Sequence, residues 1–280
     1  MSDLTYHVVD VFTDRAYAGN PLAVVLGGDG LSTAQMAALA REFNLSETAF
    51  PLPGDDEADY LLRIFTPENE LPFAGHPSVG TAWLLAHLGV VSPGRVVQRC
   101  GAGLLPLVID PEGGPVELTG GTPEAGEPLD PLPYLAALGL SPGDAGTAPA
   151  RVCSTGLPWT CVEVASSDAV RRAALGAPGD TVVFAWDAAT RTSHARVFAG
   201  SAGFVEDPAT GSAATAFGAF LAASGYVPAD AETAYVVTQG TEIGRPSRLD
   251  GTVVTRGGVA VECRVSGKVV PVATGTIRRP

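Results

Sequence analysis

Two ten-residue segments built on one pattern constrain this chain more than any other feature. Residues 73–82 read FAGHPSVGTA and residues 204–213 read FVEDPATGSA. Both follow one rule without gaps: Phe, two residues, His or Asp, Pro, two residues, Gly, Ser or Thr, Ala. Each is preceded by a short run opening with Arg, Arg63-Ile64-Phe65 and Arg196-Val197-Phe198, and each is followed by an apolar stretch with no charged residue before Gly89 or Gly225. The copies stand about half a chain apart, too long a period for a solenoid, and so predict a duplicated domain.

Proline loses no hydrogen bond at the first position of a helix, and a preceding Asp is a favoured N-cap. The pattern therefore predicts a helix starting at Asp207-Pro208, with Asp207 as the cap, and a variant start at His76-Pro77. The following residues are apolar or small on every side: Val79, Ala82, Trp83, Leu84, Leu85 and Ala86 in one copy, Ala213, Ala214, Ala216, Phe217, Ala219, Phe220 and Leu221 in the other. A helix without a polar face is buried, and neither run is long enough to span a membrane. Helix starts present unpaired N–H groups and the positive end of the dipole. Small residues there, Gly75, Gly80, Gly211 and Ser212, let a carboxylate or phosphate approach the backbone, so two such starts facing one cleft suit a small anion. Duplicated packing alone explains the Pro, Gly and Ala positions. It explains less well why one copy carries His and the other Asp.

The chain's 280 residues suit two domains of ordinary size. The Pro- and Gly-rich stretch 111–131 is the best linker, which places the boundary near residue 120, with an N-terminal domain of 1–120 and a C-terminal domain of 121–280. A net charge of −13 argues against a nucleic-acid or anionic-membrane surface. The only lysine, Lys268, lies in a strand pattern, which leaves a pyridoxal Schiff base one poor candidate. The opening MSDLTYHVVDVF reads as a strand and not as a secretory signal, so a cytoplasmic location is expected. Cys100, Cys153, Cys161 and Cys263 lack metal-ligand spacing, and their default role in a reducing compartment is core filling. The cluster Gly27-Gly28-Asp29-Gly30 is a turn without a dinucleotide fingerprint, and nothing matches a P-loop.

Strand patterns run over 5–13 and 22–26. Ser32 and Gln35 make a capping box for an amphipathic helix over 33–43, with Met36, Leu39, Ala40 and Phe43 on its apolar face and Asn44 at its end. The run LSETAFPL then carries Glu47 between Ser46 and Thr48. Further strands are expected at 96–97, 104–109, 152–164 with a turn at Gly156-Leu157-Pro158, 181–186, 195–198, 234–239, 253–255, 259–265 and 268–273. Gly257-Gly258 and Ser266-Gly267 read as hairpin turns. Many strands around two buried helices predict an α+β chain in which each mainly antiparallel sheet curls over its own central helix. On spacing alone, Glu47 reads as an exposed strand carboxylate. His76 could equally satisfy a core hydrogen bond, and Ser212 a local cap. His7, His87 and His194 show no partners and read as structural or surface residues.

Five motifs in order, NPLAVV, NLSETAF, RIFTPENELPFAGHP, EDPATGSAA and TQGTEIGRPSRL, resemble the PhzF-like isomerase family of phenazine biosynthesis, relatives of diaminopimelate epimerase and proline racemase. The resemblance runs from Val9 to Ile277. It implies two domains related by a pseudo-twofold, a cleft between them, a homodimer, and a last strand (268–280) that returns to the first domain. It also implies a cofactor-free, metal-free isomerase of secondary metabolism that acts on a small carboxylate-bearing metabolite such as 2,3-dihydro-3-hydroxyanthranilate. By the same resemblance the glutamate of NLSET, here Glu47, moves a proton between carbons. His76 and Asp207 bind and polarise the substrate with Ser212, and the backbone around Gly75 and Gly211 takes its carboxylate.

The chemistry stands on its own terms: moving a proton from an activated carbon needs one base shielded from water, and burial brings a carboxylate's pKa toward working pH. The related racemases use two opposed cysteines, one beside each helix start. Neither ten-residue segment here contains Cys, which favours a one-carboxylate proton shift. An epimerase or ring-forming catalyst and a non-catalytic metabolite-binding protein are the alternatives.

Overall fold

The computed structural model of the chain describes residues 3–174, 179–200 and 206–280. In chain order the first elements are β1 (Leu4–Val11), β2 (Asn20–Leu26), α1 (Thr33–Phe43), β3 (Glu47–Pro53), β4 (Tyr60–Phe65), β5 (Glu70–Leu71) and α2 (Gly75–His87). There follow β6 (Gly94–Cys100), β7 (Gly103–Ile109), β8 (Val116–Thr119), β9 (Glu124–Ala125), α3 (Leu132–Ala137), a 3-10 turn (Pro142–Asp144), β10 (Arg151–Ser154) and β11 (Pro158–Glu163). The remainder is α4 (Ser167–Arg172), β12 (Asp180–Asp187), β13 (Thr192–Ala199), α5 (Gly211–Ala223), β14 (Ala231–Gln239), β15 (Ser247–Arg256), β16 (Val259–Gly267) and β17 (Val269–Ile277). This is an α+β chain, mostly sheet with few helices. It divides into two compact units, Met1–Leu118 with Ser266–Pro280, and Thr119–Val265.

In the first unit, β1 pairs antiparallel with both β2 and β17, so the last strand lies beside the first. The sheet continues through a parallel β2–β3 join, an antiparallel β3–β4 pair, a parallel β4–β6 join and the antiparallel β6–β7–β8 ladder. The amphipathic pattern of 33–43 gives the expected α1, closed at its start by the Ser32–Gln35 capping box and at its end by Asn44 in the left-handed region. Helix α2 lies on β1, β2, β3 and β7, and all its residues from Gly75 to Leu85 are buried. It sits so close to the sheet that a Cβ on Gly80 would come 2.7 Å from Val11 Cγ2 and 2.8 Å from Leu22 Cδ2. Gly80→Ala should therefore destabilise the fold by about 1–3 kcal/mol, the usual cost of overpacking, read as a lower urea midpoint at unchanged m-value.

In the second unit, β10 pairs antiparallel with β9 and β11, β11 runs parallel to β12, β12 pairs antiparallel with β13, β13 runs parallel to β14, and β14 pairs antiparallel with β15. Burial along β15 alternates residue by residue, the period of a strand with one face in a core. Helix α5, buried from Gly211 to Ala222, packs on β9, β10, β11 and β15. Its Phe217 and Phe220 meet Phe184 edge-on at 4.7 and 5.1 Å, an arrangement favoured by the ring quadrupoles. A second core, with Leu135, Val170, Val183 and Phe198, lies under α3 and α4.

The structure corrects two expectations and adds two short helices. The stretch 111–131 contains the short strands β8 and β9, and the division between the two compact units, after Leu118, falls inside it. Ser266-Gly267 makes no hairpin: it ends β16, and β17 goes on to pair with β1. The short helices α3 and α4 had no periodic signal to announce them, being six residues each. The two ten-residue segments also do not start helices at the same place. Helix α2 begins at Gly75 with Ala74 as its N-cap and Pro77 as its third residue. Helix α5 begins only at Gly211, with Thr210 as its N-cap, so Asp207 caps no helix. Its N–H is committed to Val197 O at 2.9 Å in an isolated bridge, which keeps its backbone extended. Phe204 and Val205 of the second copy lie outside the described residues. Among the described residues no helix is long and apolar enough to cross a membrane.

Candidate active site

In the first unit, Glu47 is the first residue of β3, set by the parallel pairing of Leu22 with Glu47, and His76 is the second residue of α2. Because α2 packs on β2 and β3, the two side chains meet: His76 Nε2 lies 3.5 Å from Glu47 Oε2. Both residues are buried, 5% exposed for His76 and 8% for Glu47, so Glu47 is not the exposed strand carboxylate that spacing alone suggested. Burial pushes the His76 imidazole down to about 3. It is therefore uncharged at neutral pH, and its contact with Glu47 is that of a neutral ring with a carboxyl group and not an ion pair. A neutral imidazole offers one donor and one acceptor nitrogen, the equipment to polarise a bound polar group.

That shift has a stability consequence. Between the ordinary value of 6.5 and about 3, the unfolded chain binds a proton at His76 that the folded chain refuses. Stability from this group is thus complete above the ordinary value and falls as pH drops through the window, by about 1.4 kcal/mol per pH unit. Replacing His76 with Gln should flatten the loss between pH 7 and pH 5 by about 2 kcal/mol, checked by urea unfolding of both proteins at each pH.

In the second unit, Asp207 is 8% exposed and Ser212 9%. Asp207 Oδ2 accepts a hydrogen bond from Thr210 Oγ1, and Asp207 O accepts one from Gln239 Nε2 at 2.7 Å. Ser212, the second residue of α5, accepts from Trp159 Nε1 at 3.2 Å. Just ahead of Asp207, Glu206 forms a two-pronged pair with Arg196 at 3.0 and 2.6 Å. The structure thus brings Glu47 to His76 in one unit and gathers Asp207 and Ser212 at the start of α5 in the other. At neither α2 nor α5 does the N-cap residue's side chain bond the first turn, so the helix starts at Gly75 and Gly211 are not capped from that position.

Trp159, Thr210, Gln239, Arg196 and Glu206 were not singled out as site residues from the sequence. Gln239 stands in the quoted TQG run and Trp159 directly follows a turn, but their partners are tens of residues away in the chain, beyond any local spacing rule. The other histidines do have partners. His7 Nδ1 lies 3.0 Å from Thr274 Oγ1, His87 stacks on Trp83 at 4.8 Å, and His194 Nε2 lies 2.9 Å from Glu242 Oε1. Cys153, Cys161 and Cys263 are buried. A hydrogen bond to Cys153, together with burial, pushes the Cys161 thiol well up, and burial pushes Cys263 up to about 12, so neither supplies a thiolate at neutral pH.

Comparison with known proteins identifies the family. The sequence model of the phenazine biosynthesis-like protein family, PhzC-PhzF, matches residues 9–275. An uncharacterised isomerase of Mesorhizobium japonicum is 38% identical over 99% of both chains. The trans-2,3-dihydro-3-hydroxyanthranilate isomerase of Pseudomonas aeruginosa is 35% identical over 96% of this chain and 98% of its own. The crystal structure of a PhzF-family protein from Bacillus anthracis superposes with a TM-score of 0.88 at 25% identity, covering 99% of both chains. The chain belongs to the phenazine biosynthesis-like (PhzC-PhzF) family of isomerases.

Proposed function

We propose that this isomerase shifts a proton between two carbons of a small carboxylate-bearing metabolite, with trans-2,3-dihydro-3-hydroxyanthranilate the first candidate, and that Glu47 carries the proton. The buried Glu47–His76 contact at 3.5 Å carries this reading. Glu47 as carboxylate takes a proton from an activated C–H, and the electron pair left on carbon moves into the adjoining unsaturated system. The resulting carboxylic acid returns the proton to a second carbon. Nothing is oxidised or reduced, and Glu47 ends as it began. A carboxylate of low solvent exposure is suited to both halves, and exchange of its acid proton with solvent before the return step leaves the solvent's hydrogen isotope on the second carbon.

His76, neutral beside it, hydrogen-bonds the substrate and polarises it without adding charge. Asp207 and Ser212 contact polar groups of the substrate. The helix starts at Gly75 and Gly211 supply N–H donors for its carboxylate. The 35% identity to an enzyme named for the anthranilate-type substrate supports the choice of first compound.

The experiment is proton NMR in D2O of trans-2,3-dihydro-3-hydroxyanthranilate and a panel of amino and keto carboxylates with the wild-type protein. Isomerisation with deuterium entering at a substrate carbon is the expected result. Binding of a compound without exchange or conversion would favour a non-catalytic binding protein, and stereochemical inversion at a single carbon an epimerase.

A further inference from the structure

Thr210 occupies the N-cap position of α5, where a threonine hydroxyl ordinarily accepts from the helix's own N–H groups, yet it makes no such bond. Its Oγ1 donates instead to Asp207 Oδ2. Behind it stands Gln239, at the end of β14 and 1% exposed. The orientation of that buried amide follows from its partners. Asp207 O can only accept, and it takes Gln239 Nε2 at 2.7 Å; Thr210 N can only donate, and it gives to Gln239 Oε1 at 3.3 Å. With Nε2 so assigned, its second contact, to Thr210 Oγ1 at 3.0 Å, is a donation as well. The Thr210 hydroxyl therefore accepts from Gln239 and turns its own proton toward Asp207.

The geometry points to Gln239 and Thr210 as positioning residues for the reaction: a one-way donor chain, Gln239 Nε2–H to Thr210 Oγ1–H to Asp207 Oδ2, aims the Asp207 carboxyl group at the substrate. Gln239 holds the main chain at both ends of the same turn, through Asp207 O and Thr210 N, while Thr210 holds the side chain. A threonine that served only to start the helix would have its hydroxyl on the helix. The inference rests on the reading of Asp207 as a substrate-contacting residue.

The test compares Thr210→Val, which keeps the branched shape and removes the hydroxyl, with Thr210→Ser, which keeps the hydroxyl. Asp207→Asn is measured beside them, all with trans-2,3-dihydro-3-hydroxyanthranilate. Thr210→Val is expected to lower kcat by about 10²-fold, the scale of a misplaced reacting group, with KM changed by less than about 3-fold. Thr210→Ser is expected to stay within about 3-fold of wild type, and urea midpoints are measured on both to separate loss of fold from loss of aim. Equal losses in Val and Ser, or none in Val while Asp207→Asn is impaired, would overturn the donor chain alone. Full activity of Asp207→Asn would overturn the substrate role of Asp207 itself. Crystal structures of the two Thr210 variants give a readout that needs no substrate: the Asp207 carboxyl group should rotate in Val and hold its place in Ser. An unmoved carboxyl group in Val would overturn the proposal.

Discussion

Replacing Glu47 with Gln should lower turnover by ~10³-fold or more while the protein stays folded, because the amide is nearly isosteric but can neither accept nor return a proton at neutral pH. Glu47 sits at the first position of β3, paired with Leu22, so the substitution leaves the strand register alone. Glu47→Asp makes the complementary test. It keeps the acid but withdraws it by one methylene, and a displacement of about 1 Å from productive geometry costs about 10²-fold. The ordering wild type, then Asp, then Gln identifies a positioned acid–base group. A Glu47 with a purely structural role would show instead a shift of the unfolding midpoint with turnover per folded molecule unchanged.

Loss of Glu206 should rank with a large-to-small change in the core in its effect on stability. The Arg196–Glu206 pair is nearly enclosed, with side chains 12% and 6% exposed, and Arg196 Nη1 also donates to the carbonyls of Val170, Arg171 and Ala173 at the end of α4. Glu206→Ala leaves a guanidinium without its counter-charge in that setting, which costs about 3–5 kcal/mol. The first unit supplies an internal control. Arg63 opens the equivalent run, lies over Phe65 at the same 5.1 Å that separates Arg196 from Phe198, and pairs with Glu70 at 2.7 Å. That pair is far more open, 25% and 37% exposed, so solvent screening should hold the cost of Glu70→Ala below about 1 kcal/mol. Equal costs measured by urea unfolding would mean that burial is not what distinguishes the two clamps.

Elements whose cause is local were legible from the sequence. Helix α1 follows from the Ser32–Gln35 box, an apolar stripe and Asn44, and the two buried helices follow from residues apolar on every side ended by Gly89 and Gly225, both at positive φ. The starts of those helices were misread for a non-local reason. His76 and Asp207 hold the same place in a repeated segment, but Asp207 is bound through its main chain to Val197 and Gln239, tens of residues away in the case of Gln239. The equivalent residue His76 is already helical. One sequence pattern thus takes two conformations, and no spacing rule registers the difference.

Of the proposed site, Glu47, His76, Asp207 and Ser212 could be named from motifs. What their neighbours do could not be. The neutrality of His76 comes from burial, and the direction of the Thr210 hydroxyl comes from a glutamine on a distant strand. Both depend on three-dimensional enclosure, which neither composition nor periodicity encodes.

The central claim is that Glu47 carries a proton between substrate carbons, and its most direct test is parallel proton NMR in D2O of wild type and Glu47→Gln with trans-2,3-dihydro-3-hydroxyanthranilate. Deuterium appearing at a substrate carbon with wild type, and none with the folded variant on the same timescale, is the predicted result. Deuterium entering at the same carbon and the same rate in both proteins would show that another group moves the proton, and would contradict the account.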